Sequence, residues 1–426
     1  IKTTAMASKY KIIKRTKNGG ESNYKTGAAA LAFGALVGVT LSTASYAYDT
    51  YDRDVNEVTG FIPSLLIRHG NDDNVNRVNE DNVDATESDV TETRFNVLMG
   101  GSQRANRYNA NYTALSKNFR SADELDYVDH HFVSNIHLEA NSRNQFDIRA
   151  GYHKQTDRLS SLNRSDARET EGDRYSYTVL GLTYGFGEEN TKAQLEFGVD
   201  FQSREYDNNL DTASLNRLKD RDVTTARATF FYKISPKTRA LFELRQQDFD
   251  YQDSDSRLSS TSQAALVGIT WDATANTKGT VKVGYQEKDF DDEALNDGDN
   301  LAWEARMDWS PQDRDLFTFR TARSQKEGSV RENFVDSATI SARWRHDWSD
   351  VVVSDVTYAH FEDKYEGGTT DGRKDNGDSL DLGLRYKFRR WMTLGAGYRY
   401  TDNNSDIDIE EYDSNQYFFD VNFTLR

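Results

Sequence analysis

The sequence predicts an all-β chain: a transmembrane antiparallel β-barrel of about 18 strands, with short periplasmic turns and long acidic extracellular loops. Three observations predict it. Segments of about ten residues alternate apolar and polar side chains, so that each would present one face of each kind. The connections alternate strictly between short and long. The composition is polar, with a mean hydropathy of −0.83, yet 12% of residues are aromatic and only 3 are proline. Disordered chains are poor in aromatics, and a soluble domain of 426 residues would need a large apolar core. A barrel with a wet lumen needs none, because one face of every strand stays polar.

The chain has no cysteine, which excludes disulfides and Cys-based metal sites. Residues 1–47 read as a signal peptide. Lys9, Lys11, Lys14, Arg15, Lys17 and Lys25 form a basic region, Gly27–Leu41 is small and apolar, and Ser45-Tyr46-Ala47 fits a cleavage site. The competing reading, a single membrane anchor, needs a longer apolar run, roughly 20 residues. The formal charge of −17 becomes −23 once this segment, with seven basic residues and one acidic, is removed. So acidic a chain argues against a nucleic-acid partner. No later apolar run is long enough for a transmembrane helix.

Residues 48–59 form a polar periplasmic lead-in, and the barrel is expected over 60–426. Phe61, Pro63, Leu65 and Ile67 alternate in the first strand, before a polar loop from Asn71 to Asp89. Phe95, Val97 and Met99 follow, then a tight connection at Gly100–Arg104. Short turns recur near 102, 142, 189, 236, 275, 312, 349 and 390, roughly every 40 residues, which suggests one hairpin per unit. Asp289–Asn300, Gly367–Asp378 and Thr401–Ser414 exemplify the long connections. An even strand count places both termini on the short-turn side. The closing strand carries Tyr417, Phe419, Val421, Phe423 and Leu425 on its lipid face and Gln416, Phe418, Asp420, Asn422, Thr424 and Arg426 on the other. Tyr232, Trp271, Trp309, Trp348 and Trp391 lie beside short turns, as an aromatic girdle at the membrane boundary would. A soluble β-propeller also repeats at about 40 residues, but its core strands are apolar on both faces.

Several phrases carry a family resemblance: Gly70-Asn71-Asp72-Asp73-Asn74, the hairpin from Val267-Gly268-Ile269-Thr270-Trp271-Asp272 to Thr280-Val281-Lys282-Val283-Gly284-Tyr285, and the turns Ser235-Pro236 and Ser310-Pro311. The chain resembles the putative beta-barrel porin 2 family, outer-membrane barrels encoded in exopolysaccharide loci. Arg426 stands where such barrels usually end in an aromatic. The resemblance implies a Gram-negative outer-membrane barrel that takes part in exporting an exopolysaccharide. It also implies membrane lipid, lipopolysaccharide, the barrel-assembly machinery, polysaccharide and periplasmic export components as partners.

Arg149, Arg227, Arg245, Lys282, Glu304, Arg306, Asp308, Arg343, Arg385 and Arg399 are the expected lumen-lining charges. Their signs are mixed, whereas a pore selective for one ion sign shows rings of one charge. Mixed charge suits a hydrated path for a neutral or anionic sugar polymer, and it equally suits cross-strand pairing that merely fills a polar lumen. A general or solute-uptake porin and an adhesive barrel are the alternatives. No catalytic residue, cofactor or metal site is expected. His130 and His131 are neighbours and would face opposite sides of a strand. Glu304 and Asp308 could form a glycosidase-like pair, but no nucleophile elbow, phosphate loop or zinc motif occurs. The acidic stretches Asp289–Glu293 and Asp406–Glu411 could hold divalent cations, although solvated loop tips account for them as simply.

Overall fold

A computed structural model describes residues 59–79, 85–157, 171–188, 191–210, 215–274 and 276–425. The expected signal peptide, all of the lead-in but Thr59, and Arg426 lie outside these residues. Eighteen strands are present. The first nine are β1 (Gly60–Asp72), β2 (Ser88–Gln103), β3 (Asn106–Phe119), β4 (Tyr127–Asn141), β5 (Asn144–Thr156), β6 (Arg174–Phe186), β7 (Ala193–Tyr206), β8 (Arg221–Ser235) and β9 (Thr238–Tyr251). The others are β10 (Ser260–Thr274), β11 (Thr277–Phe290), β12 (Gly298–Trp309), β13 (Asp315–Lys326), β14 (Phe334–Asp347), β15 (Val352–Glu366), β16 (Lys374–Arg389), β17 (Met392–Ser405) and β18 (Tyr412–Thr424).

Each strand pairs antiparallel with its sequence neighbour, and β1 pairs with β18 from Ser64 opposite Thr424 to Asp72 opposite Gln416. The sheet therefore closes. Closure matters because lipid offers no hydrogen bonds to a free strand edge. Two backbone bonds extend the seam, Leu425 N to Pro63 O at 3.0 Å and Asp73 N to Asn415 O at 3.2 Å. Among the described residues no helix is long and apolar enough to cross a membrane.

Directly opposed residues share a face, so the register carries one facing assignment around the whole barrel. Phe423 lies opposite Leu65, which lies opposite Phe95, which lies opposite Ala114. This face is apolar and exposed: Phe419 is 73% accessible, and Phe201, Val267 and Ile340 are also bare. The other face is concave. Arg149 of β5 reaches Asp200 of β7 at 3.3 Å, and Arg245 of β9 reaches Glu304 of β12 at 2.9 Å. Side chains bridge intervening strands in this way only where they converge.

The strands run from 12 residues in β12 to 16 in β2, longer than the 9–11 or so that a tilted strand needs to cross a bilayer. The sequence-based loop limits are accordingly too wide. Gly100–Gln103 belongs to β2, and the connections expected at 289–300, 367–378 and 401–414 shrink to 291–297, 367–373 and 406–411. Beyond the apolar layer an outward residue has no reason to be apolar, so the alternation fades while the backbone ladder continues. The short turns fall where expected, at 104–105, 142–143, 236–237 and 390–391 among others.

Phe418 is an aromatic on the polar face of β18. It fits because Gly397 of β17 and Gly70 of β1 flank it. A Cβ on Gly397 would come within 2.3 Å of the Phe418 ring, and one on Gly70 within 2.9 Å of the Phe418 Cα. The Arg68 guanidinium covers the ring at 4.2 Å.

Candidate functional site: the inner wall

All ten lumen-lining candidates fall on the concave face. The register chain places Arg149 and Arg227 there, together with Arg245, Lys282, Glu304, Arg306, Asp308, Arg343, Arg385 and Arg399. The structure brings most of them into ion pairs. Glu243 accepts from Arg245 at 2.5 Å and from Lys282 at 3.1 Å, and Glu304 is held by the same two cations. Asp355 is 1% exposed and lies between Arg343, at 2.5 Å, and Arg385. Asp381 pairs with Arg399, and Arg306 with Asp308 at 3.0 Å. Glu304 and Asp308, the glycosidase-like pair, are thus both engaged by cations, and Thr318 Oγ1 also donates to Asp308 at 2.8 Å. His131 and His130 do face opposite ways. His131 meets His153 inside at 3.0 Å, and His130 meets the Tyr112 hydroxyl outside at 2.9 Å.

Tyr232, Trp309, Trp348 and Trp391 are exposed on or beside the outer face at short turns, and Trp271 is half-buried there. Three of the candidates sit in wider aromatic contacts. Phe317 packs between Trp309 and Trp344, and Trp391 stacks on Phe423 of the closing strand at 6.1 Å. Trp348 meets His346 edge-on at 4.4 Å. Asp315 accepts hydrogen bonds from Trp344 Nε1 and lies 2.8 Å from His346 Nδ1, fixing both rings.

Sequence reasoning missed a second aromatic set, on the inner face at the opposite end. Phe119, Tyr206, Tyr251 and Phe290 are the last residues of β3, β7, β9 and β11, and all are buried. Tyr175 and Tyr365 sit within a residue or two of the same rim. A cation covers each ring: Lys117 over Phe119, Arg204 over Tyr175, Lys219 over Tyr206, Arg221 over Tyr251, Lys288 over Phe290 and Arg373 over Tyr365, at 4.3–5.5 Å. Carboxylates complete the sets. Lys288 binds Glu327 at 2.6 Å, the Tyr251 hydroxyl donates to Glu327 at 2.6 Å, and the Tyr365 hydroxyl donates to Asp375 at 2.9 Å. Buried and with a cation over each, these rings are not free platforms for sugar stacking. The loops fold inward onto them: Leu258 and Leu295 pack on the Tyr251–Phe290–Phe334 cluster, and Val75 and Leu125 on Phe119. The signal was legible in principle, as an inward aromatic at or next to the end of β3, β7, β9, β11 and β15, just before the loop that follows.

The acidic loops bond within the chain. Asp292 accepts from Arg257 Nε and from the Ala294 amide, which holds its carboxyl down at about 2. Among the described residues no three His, Asp or Glu side chains converge as a metal ion would require.

An eighteen-stranded closed barrel, bare and apolar outside and charged inside, is the architecture of bacterial outer-membrane proteins. The putative beta-barrel porin 2 family matches residues 59–425, and the chain belongs to it. The protein is therefore an outer-membrane β-barrel of a porin family, in the Gram-negative outer membrane. No curated protein matches the sequence. Among solved structures it is similar to OpdK of Pseudomonas aeruginosa crystallised with vanillate, at 11% identity and a TM-score of 0.46, covering 86% of this chain and 99% of that one. It is also similar to OccAB3 of Acinetobacter baumannii, at 12% identity and 0.44, covering 86% and 99%. The siderophore receptor PirA of Pseudomonas aeruginosa gives 10% identity and 0.42, covering 87% and 81%.

Proposed function

We propose that the barrel provides a hydrated path by which an exopolysaccharide leaves the cell, and that it acts passively, with the driving energy supplied elsewhere. The observation that carries the reading is the inner wall. It is lined by charges held in ion pairs, among them Arg149, Arg306 and Arg343, which keep 28%, 28% and 29% of their side chains accessible, with half-buried amides such as Asn111 between them. Such a surface offers donors and acceptors to sugar hydroxyls at many levels and no single tight site. Membership of the porin family supports a conduit over an enzyme. The partners would be the polymer, the periplasmic export components that deliver it, and lipopolysaccharide around the rim. Solute uptake through the same wall is the competing reading, and one experiment separates them. Deleting the gene should remove surface polysaccharide while leaving small-solute permeability unchanged. Intact polysaccharide with reduced solute permeability would replace export by uptake.

A further inference from the structure

The inner wall changes character between β12 and β16. Glu304 of β12 is held by Arg245 and Lys282. The row that starts there continues, by direct pairing, through Ala322, Thr339 and Phe361 to Gly377. Opposed residues share a face, so these positions face the lumen as Glu304 does. Ser324 lies two residues along β13 from Ala322, and Ser341 two along β14 from Thr339, on the same face. Charges return at the borders, with Arg320 opposite Ser341 and Asp363 opposite Ser337. Between them the side chains are short and uncharged, and Phe361 is the ring among them.

Phe361 lies over Gly377, where a Cβ would come within 2.5 Å of the ring. The glycine lets the ring rest along the wall instead of standing into the lumen. Rings elsewhere on this face are covered. Phe418 also lies over a glycine but carries Arg68 at 4.2 Å, Phe249 carries Lys288 at 4.0 Å, and Tyr177 stacks on His153 at 4.7 Å. Among the described residues no other ring and no cation lies against Phe361, which is half-buried. Phe231 of β8 is uncovered too, but its direct partners are the buried Leu241 and Gln194, which accepts from Arg239. The direct partners of Phe361 are a threonine and a glycine. Thr339, Ser341 and Ser324 are half-buried, and among the described residues their hydroxyls have no hydrogen-bond partner. Each such hydroxyl can donate once and accept twice.

We infer that this shelf is a saccharide subsite, on which a pyranose lays its C–H face against Phe361 and exchanges hydrogen bonds with Thr339, Ser341 and Ser324. Sites for small ligands pair aromatic surface with a few placed polar groups, and the shelf has both. Recognition there depends on stacking and hydroxyls, so an uncharged sugar suffices. One ring and a few hydroxyls on an open wall make a weak contact, which lets a polymer move on. The inference deepens the conduit reading and rests on it only for passage.

The test is equilibrium binding to the refolded barrel in lauryldimethylamine oxide, a detergent without a sugar headgroup. The probes are cellotriose, whose rings present C–H groups on both faces, and mannitol, which has the hydroxyls but no ring. Cellotriose should bind and mannitol should not, and salt should leave the affinity unchanged. Phe361→Leu keeps an apolar side chain without a ring and should lose about tenfold. Thr339→Val/Ser341→Ala should lose severalfold, and Phe231→Leu should bind as the parent does. Phe361→Trp should keep the affinity, and its indole emission should shift with cellotriose. The inference is overturned if the parent does not bind cellotriose, if mannitol binds as well, if Phe361→Leu is unchanged, or if Phe231→Leu loses as much. If Phe361→Leu does not refold, judged by heat-modified gel mobility, Phe361→Trp carries the test, and an emission indifferent to cellotriose overturns the inference. Conductance in planar bilayers separates the two readings. A conducting barrel that does not bind cellotriose refutes the subsite and leaves the pore. Ring-dependent binding without conductance upholds the subsite and refutes the open path.

Discussion

The two ends of the barrel use aromatic residues in opposite ways. At the short turns, Trp309, Phe317, Trp344 and Trp348 lie on or beside the outer face. At the loop end, Phe119, Tyr206, Tyr251 and Phe290 point inward, are buried, and are capped by Lys or Arg. The outer set suits a boundary between lipid and water, where a ring has one apolar and one polar side. The inner set ties loops to wall: ring, cation and carboxylate are buried together, and loop residues Leu258 and Leu295 rest on them. Aromatic content alone says nothing about which role a residue takes. The parity of the position and the end of the strand decide it.

The largest expected effect comes from removing what both ends depend on, the closed seam. Truncating residues 423–426 deletes Phe423, the partner of Leu65 and of Trp391, and the bond from Leu425 to Pro63. No heat-modifiable barrel should reach the outer membrane. A truncated chain that still inserts would contradict the role given to β18.

Next is the inner rim. Lys288 is 1% and Glu327 3% exposed, so Lys288→Ala strands a buried carboxylate at a cost of about 3–5 kcal/mol. Urea unfolding of the refolded barrel should show it, with faster proteolysis of the loops at 252–259 and 291–297. The paired Lys288→Met/Glu327→Leu change should recover most of the loss. Burial pushes the Glu327 carboxyl up, but Lys288 and Arg221 outweigh it and the group titrates below its ordinary value. A single variant as stable as the parent would show that the rim is not held by these pairs.

The outer set should yield less. Trp348→Ala removes a ring that touches His346 and bonds Ser354, and the loss should be about 1 kcal/mol. A loss equal to that of Lys288→Ala would erase the contrast between the two ends.

The smallest effect is a pH dependence in the loop 327–333. Glu332 is buried, accepts from Ser329 Oγ and Thr370 Oγ1 at 3.1 Å, and burial pushes its carboxyl above the ordinary 4.5. A raised carboxyl means that the folded loop holds its proton more tightly than the unfolded chain does. Its contribution is therefore full below about 4.5 and is lost as pH rises from there through the raised value. Hydrogen exchange at the Ser329 amide should speed up across that window, and Glu332→Gln should flatten the response. Exchange that slows with rising pH after correction for its intrinsic rate would reverse the sign.

The strand count, the closure, the short-turn positions and the inward face of all ten charged candidates were legible in the sequence, because a period of two commits every side chain in a strand to one face. Lipid enforces that pattern on the outer side, so it is strongest where the wall is bare, as in Phe197, Val199 and Phe201. It fades above the apolar layer, which is why β11 and β17 run further than the alternation suggested. Other features needed the tertiary structure. The pairing of Arg245 with Glu304 crosses two intervening strands, and the burial of Asp355 between Arg343 and Arg385 depends on strands that the sequence does not show to converge. Alternation places a charge on the inner face, but only the closed wall determines whether its neighbours balance it, cover it, or leave it facing the lumen.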